Sequence, residues 1–118
     1  MGGVNMDIAV EEFGQGITKI VLRGRFDTTG AVLIELPFNT IATEKRAVIV
    51  DLSAVSFLSS YAIRVLLVGA KLVKSKGGRL VIVCPDNNVA KVLKTVGTSE
   101  LIPVFQSANA AAAALTLS

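Results

Sequence analysis

Histidine is absent from the chain, which removes Ser-His and Cys-His nucleophile activation and most zinc sites. Cysteine occurs once, at Cys84, so no internal disulfide forms, and the usage fits a reducing, cytoplasmic setting. Following an apolar run, Cys84 reads as a buried strand-end residue rather than a reactive thiol. Charged residues make up only 18% of the chain. No apolar run reaches the roughly 18 residues of a membrane helix, and Arg64 interrupts the best candidate, so direct membrane insertion is not expected. Residues 1–7 carry neither a basic nor an apolar signal region. No phosphate-cradling loop is present, because Gly14-Gln15-Gly16 lies between two strand-like runs and opens no helix. A receiver-type site at Asp51 needs further carboxylates to hold magnesium, and Glu11 and Glu12, just before a hairpin, are poorly placed for it. These absences together predict a protein that is not an enzyme, with no cofactor, no metal and no catalytic residues.

What remains is an apolar chain of 118 residues, 52% hydrophobic, enough for one domain over residues 1–118 with a modest core. Residues 1–6 are expected to be flexible. The net charge of +3 is small. Lys71, Lys74, Lys76 and Arg79 gather at one helix end, where cations suit the macrodipole. Without interleaved aromatics they read as a solvated terminus and not as a nucleic-acid surface.

Turn residues divide the chain clearly. Two strand-like runs, Asp7 to Phe13 and Ile17 to Phe26, flank the Gly14-Gln15-Gly16 hairpin signal. Asp27-Thr28-Thr29 offers an N-cap for a helix from Ala31 to about Ile41. Pro37 within it predicts a late start, a break or a kink. Ala47 to Asp51 reads as a buried central strand ending at the aspartate, whose carboxylate is expected to accept N–H groups in the loop that follows. Ser60 to Lys76 is the strongest helix, stopped by Gly77-Gly78. Then come a strand from Arg79 to Cys84, a helix from Val89 to Val96, a short strand from Ile102 to Phe105 and an alanine-rich helix capped by Ser107. The order β-β-α-β-α-β-α-β-α predicts an α/β fold. Its sheet is mixed and largely parallel, of four to five strands with about four α-helices, and the opening hairpin forms an antiparallel edge.

The junction before the long helix carries the most information. Ser59 and Ser60 stand where free N–H groups and the helix dipole favour an anion. One of them caps the helix. A phosphate there would lie within reach of Arg64, one turn on. Around the helix, Ser60, Arg64, Lys71, Lys74 and Ser75 form a polar wedge. Tyr61, Val65, Val68 and Leu72 form a second apolar stripe beyond what one sheet contact needs. A neighbouring helix covers that stripe in one reading. In the other, part of it meets a partner or a second copy, and the stripe permits a homodimer without requiring one.

Three groups of residues resemble the STAS domains, named for sulfate transporters and anti-sigma factor antagonists. These are Gly24-Arg25-Phe26-Asp27, the run Asp51-Leu52-Ser53-Ala54-Val55-Ser56-Phe57, and the helix with Ile63 and Leu66-Leu67. The match continues through Gly77-Gly78-Arg79-Leu80, Val96-Gly97 and Ile102-Pro103-Val104-Phe105. The resemblance implies a STAS-like fold and a bacterial, non-enzymatic protein-binding domain in a partner-switching pathway that regulates transcription. Its partner would be an anti-sigma factor or serine kinase-like protein.

The family's usual pattern at the helix start is Asp-Ser-Ser-Gly or Asp-Ser-Thr-Gly, with the second hydroxyl accepting phosphate. Here Ser59-Ser60-Tyr61-Ala62 stands instead, so Tyr61 takes the acceptor position. Phosphorylation is then shifted to Ser60 or Ser59, or lost. The resemblance assigns partner binding to Asp27, Ser59, Ser60, Tyr61, Ala62, Arg64 and Val65. It also implies an alternative role, an accessory subunit bracing the ATPase of a membrane transporter without phosphorylation.

Overall fold

The computed structural model describes residues 6–14, 16–95, 97 and 101–116. Five strands form one sheet whose order is the order of the chain: β1 (Met6–Glu12), β2 (Thr18–Phe26), β3 (Ala47–Leu58), β4 (Arg79–Val83) and β5 (Val104–Phe105). The first pair is antiparallel and the other three are parallel. Among the described residues the helices are α1 (Thr28–Glu44), α2 (Ser60–Lys74), α3 (Asn87–Thr95) and α4 (Ala108–Thr116). The predicted α/β order is therefore the observed one.

Alternation along β3 sorts its side chains between the two faces. Val48, Val50 and Leu52 enter the larger core with Ile34 and Phe38 of α1, Leu66 of α2 and Leu93 of α3. Ile49 enters a smaller core on the opposite face, closed by Ala111 of α4. A central strand covered on both faces must be apolar throughout its middle, which is why Ala47 to Val50 reads as a continuous run.

Two expectations need correction. First, α1 neither starts late nor breaks, but runs unbroken through Pro37. Pro37 and Leu33, whose carbonyl the missing N–H would have met, are both exposed, so water can satisfy that carbonyl. Second, β3 does not end at Asp51 but continues seven residues to Leu58, paired with β2 across two register shifts. Only the pairing with β4 ends there, at Asp51 opposite Val83. The flexible start expected for residues 1–6 lies outside the described residues except at Met6, which is buried at 2% exposure at the start of β1.

The two helices on the larger core touch closely. A Cβ at Gly69 of α2 would run into the Phe38 ring of α1, so only glycine permits this approach. The second apolar stripe of α2 is thus covered mainly by α1, as the simpler reading held. Val65 is buried, Leu72 and Tyr61 are half-buried, and Val68 keeps 37% exposure.

The far ends of these helices are held by an unexpected residue. Lys76 donates from Nζ to the carbonyls of Ala42 at 2.7 Å and Lys45 at 3.1 Å, and also to Thr43. It therefore caps the C-terminus of α1 from the end of α2, instead of lying in solvent. Gly77, at φ 81, lets the chain turn out of α2, and the Gly78 N–H donates back to the Val73 carbonyl at 3.1 Å.

Candidate functional site

Phe26 and Leu58 are register partners at the ends of β2 and β3. The Ser59 N–H donates to the Phe26 carbonyl at 3.0 Å and ties the two ends together. The residues that follow them in the chain, Asp27 and Ser59, are the N-caps of α1 and α2. Two parallel strands thereby deliver two helix N-termini side by side.

Each cap works by the expected short-range bond. Asp27 Oδ1 accepts from the Gly30 N–H at 2.8 Å, and Ser59 Oγ accepts from the Ala62 N–H at 3.1 Å. The caps differ in charge. Asp27 brings an anion to α1, whereas α2 starts on a neutral hydroxyl and has no acid in its first turn. The positive end of α2 is left for an incoming anion. Of the two serines, Ser59 spends its hydroxyl on the cap. Ser60 is exposed, and its hydroxyl meets no hydrogen-bond partner among the described residues.

Tyr61 is held sideways. Its hydroxyl donates to Glu35 Oε1 of α1 at 2.6 Å. That hydrogen bond, then burial, then the Glu35 charge push the phenol above its usual range, while Arg64 opposes them. Asp27, Ser59, Ser60, Tyr61 and Arg64 thus gather at one tip of the molecule. Ala62 and Val65, assigned to the contact by resemblance, are buried at 0% and 1% exposure. Their side chains support the tip from beneath and cannot themselves meet a partner.

Three further residues complete the tip and were not expected. Arg25 packs its guanidinium 4.3 Å from the centre of the Phe57 ring, and its Nε lies 3.5 Å from Asp27 Oδ2. Phe57 is 39% exposed, an aromatic flat against a cation at the rim. Glu35 is the third. Arg25 and Phe57 both fall within the motif segments, so their presence was legible, but their stacking depends on the β2–β3 register.

Asp51 is elsewhere. Its Oδ2 lies 3.5 Å from Lys19 Nζ, and its Oδ1 accepts from the Ser53 N–H and hydroxyl. The expected role as acceptor of local N–H groups is met inside a strand, not in a loop. Cys84 is buried at 2% exposure just past β4. Burial pushes its thiol up, and Sγ donates to the Asp86 carbonyl at 3.7 Å. Among the described residues no helix is long and apolar enough to cross a membrane.

The fold has close counterparts. An anti-sigma factor antagonist from Mycobacterium paratuberculosis superposes with a TM-score of 0.88 at 20% identity, over 98% of this chain and 97% of that one. The Bacillus cell fate determinant SpoIIAA in its phosphorylated form gives 0.67 at 18% identity, covering 88% and 96%. The murine anion transporter Solute Carrier 26 family member A9 gives 0.75 at 14% identity, covering 98% of this chain but 23% of the transporter. At such identities the likeness is one of fold. No curated protein matches the sequence significantly. The family model described as STAS domain matches residues 9–111, and the chain belongs to the STAS domain family.

Proposed function

We propose that this domain is a non-enzymatic docking module of the anti-sigma factor antagonist kind. It binds a kinase-type anti-sigma factor in a cytoplasmic partner-switching pathway of a bacterium. The tip formed by Asp27, Ser60, Tyr61 and Arg64, with Arg25 and Phe57 at its rim, is the contact. The observation that carries this reading is Ser60: exposed, unbonded, and seated at a helix start that carries no acid. A phosphate on Ser60 would add nearly two negative charges beside that dipole and one turn before Arg64. The same charge would face a partner contact that includes Tyr61 and release it.

Intact-mass spectrometry after incubation with ATP and host lysate tests the switch. One phosphate is expected, retained in Ser59→Ala and lost in Ser60→Ala. Ser60→Asp is expected to weaken capture of a nucleotide-binding kinase by on the order of tenfold. No phosphate, in a lysate that modifies a control substrate, overturns the switch, and a phosphotyrosine overturns the kinase class.

One observation supports a second reading. Tyr61 stands where the family places its acceptor, and its hydroxyl is committed to Glu35. A tip without an acceptor suits constitutive docking, as in an accessory subunit that braces a transporter ATPase. Co-purification with such an ATPase, unchanged by Ser59→Asp and Ser60→Asp, is the expected sign of that role.

A further inference from the structure

Each parallel strand hands the chain to a helix at its carboxyl end, and the face that helix takes decides what is left between neighbouring strands. The helices α1, α2 and α3, which follow β2, β3 and β4, pack on the larger core through Phe38, Leu66 and Leu93. By contrast α4, which follows β5, packs on the opposite face through Ala111. Among the described residues, β4 and β5 are therefore the one parallel pair whose onward connections part to opposite faces. Where connections part, neither fills the space between them, and open α/β sheets place small-molecule crevices there.

Such a crevice is present. A cavity of about 250 Å³ opens between the end of β4, α3 and β5, with Cys84, Asn87, Ala90, Lys94, Val104 and Gln106 on its walls. A second cavity, of about 400 Å³, shares Asn87, Ala90 and Lys94 and adds Lys91. Residues 87, 90, 91 and 94 recur at i, i+3, i+4 and i+7, so one face of α3 forms a continuous wall. The larger volume lies within the range of small-molecule sites.

The chemistry of the groove is divided. Its floor is apolar, with Ala90 and Val104 half-buried against the larger core. Cys84 is buried and already donates to the Asp86 carbonyl. The groups at the rim are free. The side-chain amides of Asn87 and Gln106 are exposed, and neither forms a hydrogen bond among the described residues. Lys91 and Lys94 are also exposed, and neither is ion-paired among them. The carboxylate of Asp86 accepts from the N–H groups of Asn88 and Val89 and so occupies the start of α3. It lines neither cavity. An anion would therefore be held by the two lysines farther along the helix and not by the helix end.

We propose that the groove between α3 and β5 binds a small organic anion. Its apolar body lies on Ala90 and Val104, its carboxylate or phosphate lies between Lys91 and Lys94, and the Asn87 and Gln106 amides donate to polar groups at the mouth. The inference goes beyond the docking reading and does not rest on it, because the groove shares no residue with the tip.

Amide chemical shifts of the 15N-labelled full chain, titrated with phenyl phosphate or with phenylacetate, test the proposal. Both anions are expected to move the amides of Asn87, Ala90, Lys94 and Gln106 in a saturable way. Saturation by one of them alone also supports the inference and fixes the head group. Inorganic phosphate and benzyl alcohol, which each carry half of the chemistry, are expected to bind weaker by on the order of tenfold or more. The double variant Lys91→Met, Lys94→Met is expected to lose affinity by on the order of tenfold. Lys71→Met, Lys74→Met removes the same charge from α2 and is expected to keep it. All four lysines are exposed, and unchanged melting temperatures verify both folds. No saturable shift at these amides, equal binding of benzyl alcohol, or an equal loss in the α2 variant overturns the inference. Shifts that grow with protein concentration instead of ligand mean that a second copy fills the groove, and overturn it as well. None of these outcomes bears on the tip, which Ser60→Ala tests separately.

Discussion

The two ends of the α1–α2 pair satisfy the same physical demand in different ways. At the far end, Lys76 spends its ammonium on the last carbonyls of α1, and the Gly78 N–H closes α2 onto Val73. At the tip, Asp27 and Ser59 each satisfy one N–H with a short side chain. They leave Ser60, Arg25, Phe57 and Arg64 facing solvent. Helix ends always demand partners. The far end meets that demand with a residue from another element and leaves little over. The tip meets it locally, with small groups, and so keeps its remaining chemistry free for something outside the molecule.

Both ends share one middle, where Phe38 lies against Gly69. Truncation by Phe38→Ala is expected to cost about 3–5 kcal/mol through lost burial and a cavity. Chemical denaturation would show both ends failing together, whereas a loss below about 1 kcal/mol would mean the helices are not held by this contact. The next effect separates the ends. Lys76→Met strips three carbonyls of their donor, and a loss of about 1–3 kcal/mol is expected. Hydrogen exchange should rise in the last turn of α1 while the bonded amides of Ala62 and Ile63 stay as they were.

At the tip, Ser59→Ala is expected to cost about 1 kcal/mol, and Ser60→Ala close to nothing. Equal losses in thermal melts would erase the distinction between cap and free hydroxyl. The smallest effect is read by titration. Tyr61 is the sole tyrosine of the chain, so tyrosinate absorbance reports it alone. Its folded-state phenol lies above the ordinary tyrosine value of about 10, so its contribution to stability is complete below pH 10 and is lost as pH rises beyond it. The stability gap between wild type and Tyr61→Phe should therefore narrow above pH 10. Glu35→Gln should bring the titration back toward its ordinary position.

Most of the architecture was legible because glycine, proline and short polar residues punctuate apolar runs of the right lengths. The exceptions have specific causes. In β3 the register shifts put Leu52, Val55 and Leu58 inward at intervals of three. The alternation that marks a strand is thereby lost, and Ser53 to Ser56 reads as a loop. Pro37 misleads because its cost depends on whether water reaches the carbonyl left behind, which the sequence does not state. At the candidate site, the caps, the exposed Ser60 and the tip position of Tyr61 followed from local pattern. The Tyr61–Glu35 bond joins residues 26 apart and the Lys76 cap spans more than thirty, so no local rule reaches either. Ala62 and Val65 were placed in the contact by family resemblance, which transfers positions in a motif but not the direction each side chain faces.

The sheet is ordered as the chain is ordered, from β1 to β5. A ribosome releases the N-terminal residues first, so every strand after the first emerges with its neighbour already made. No strand waits for a later one to be inserted between earlier ones. Growth by accretion proceeds at one edge, which each new strand covers in turn, while the outer edge of β1 stays open throughout.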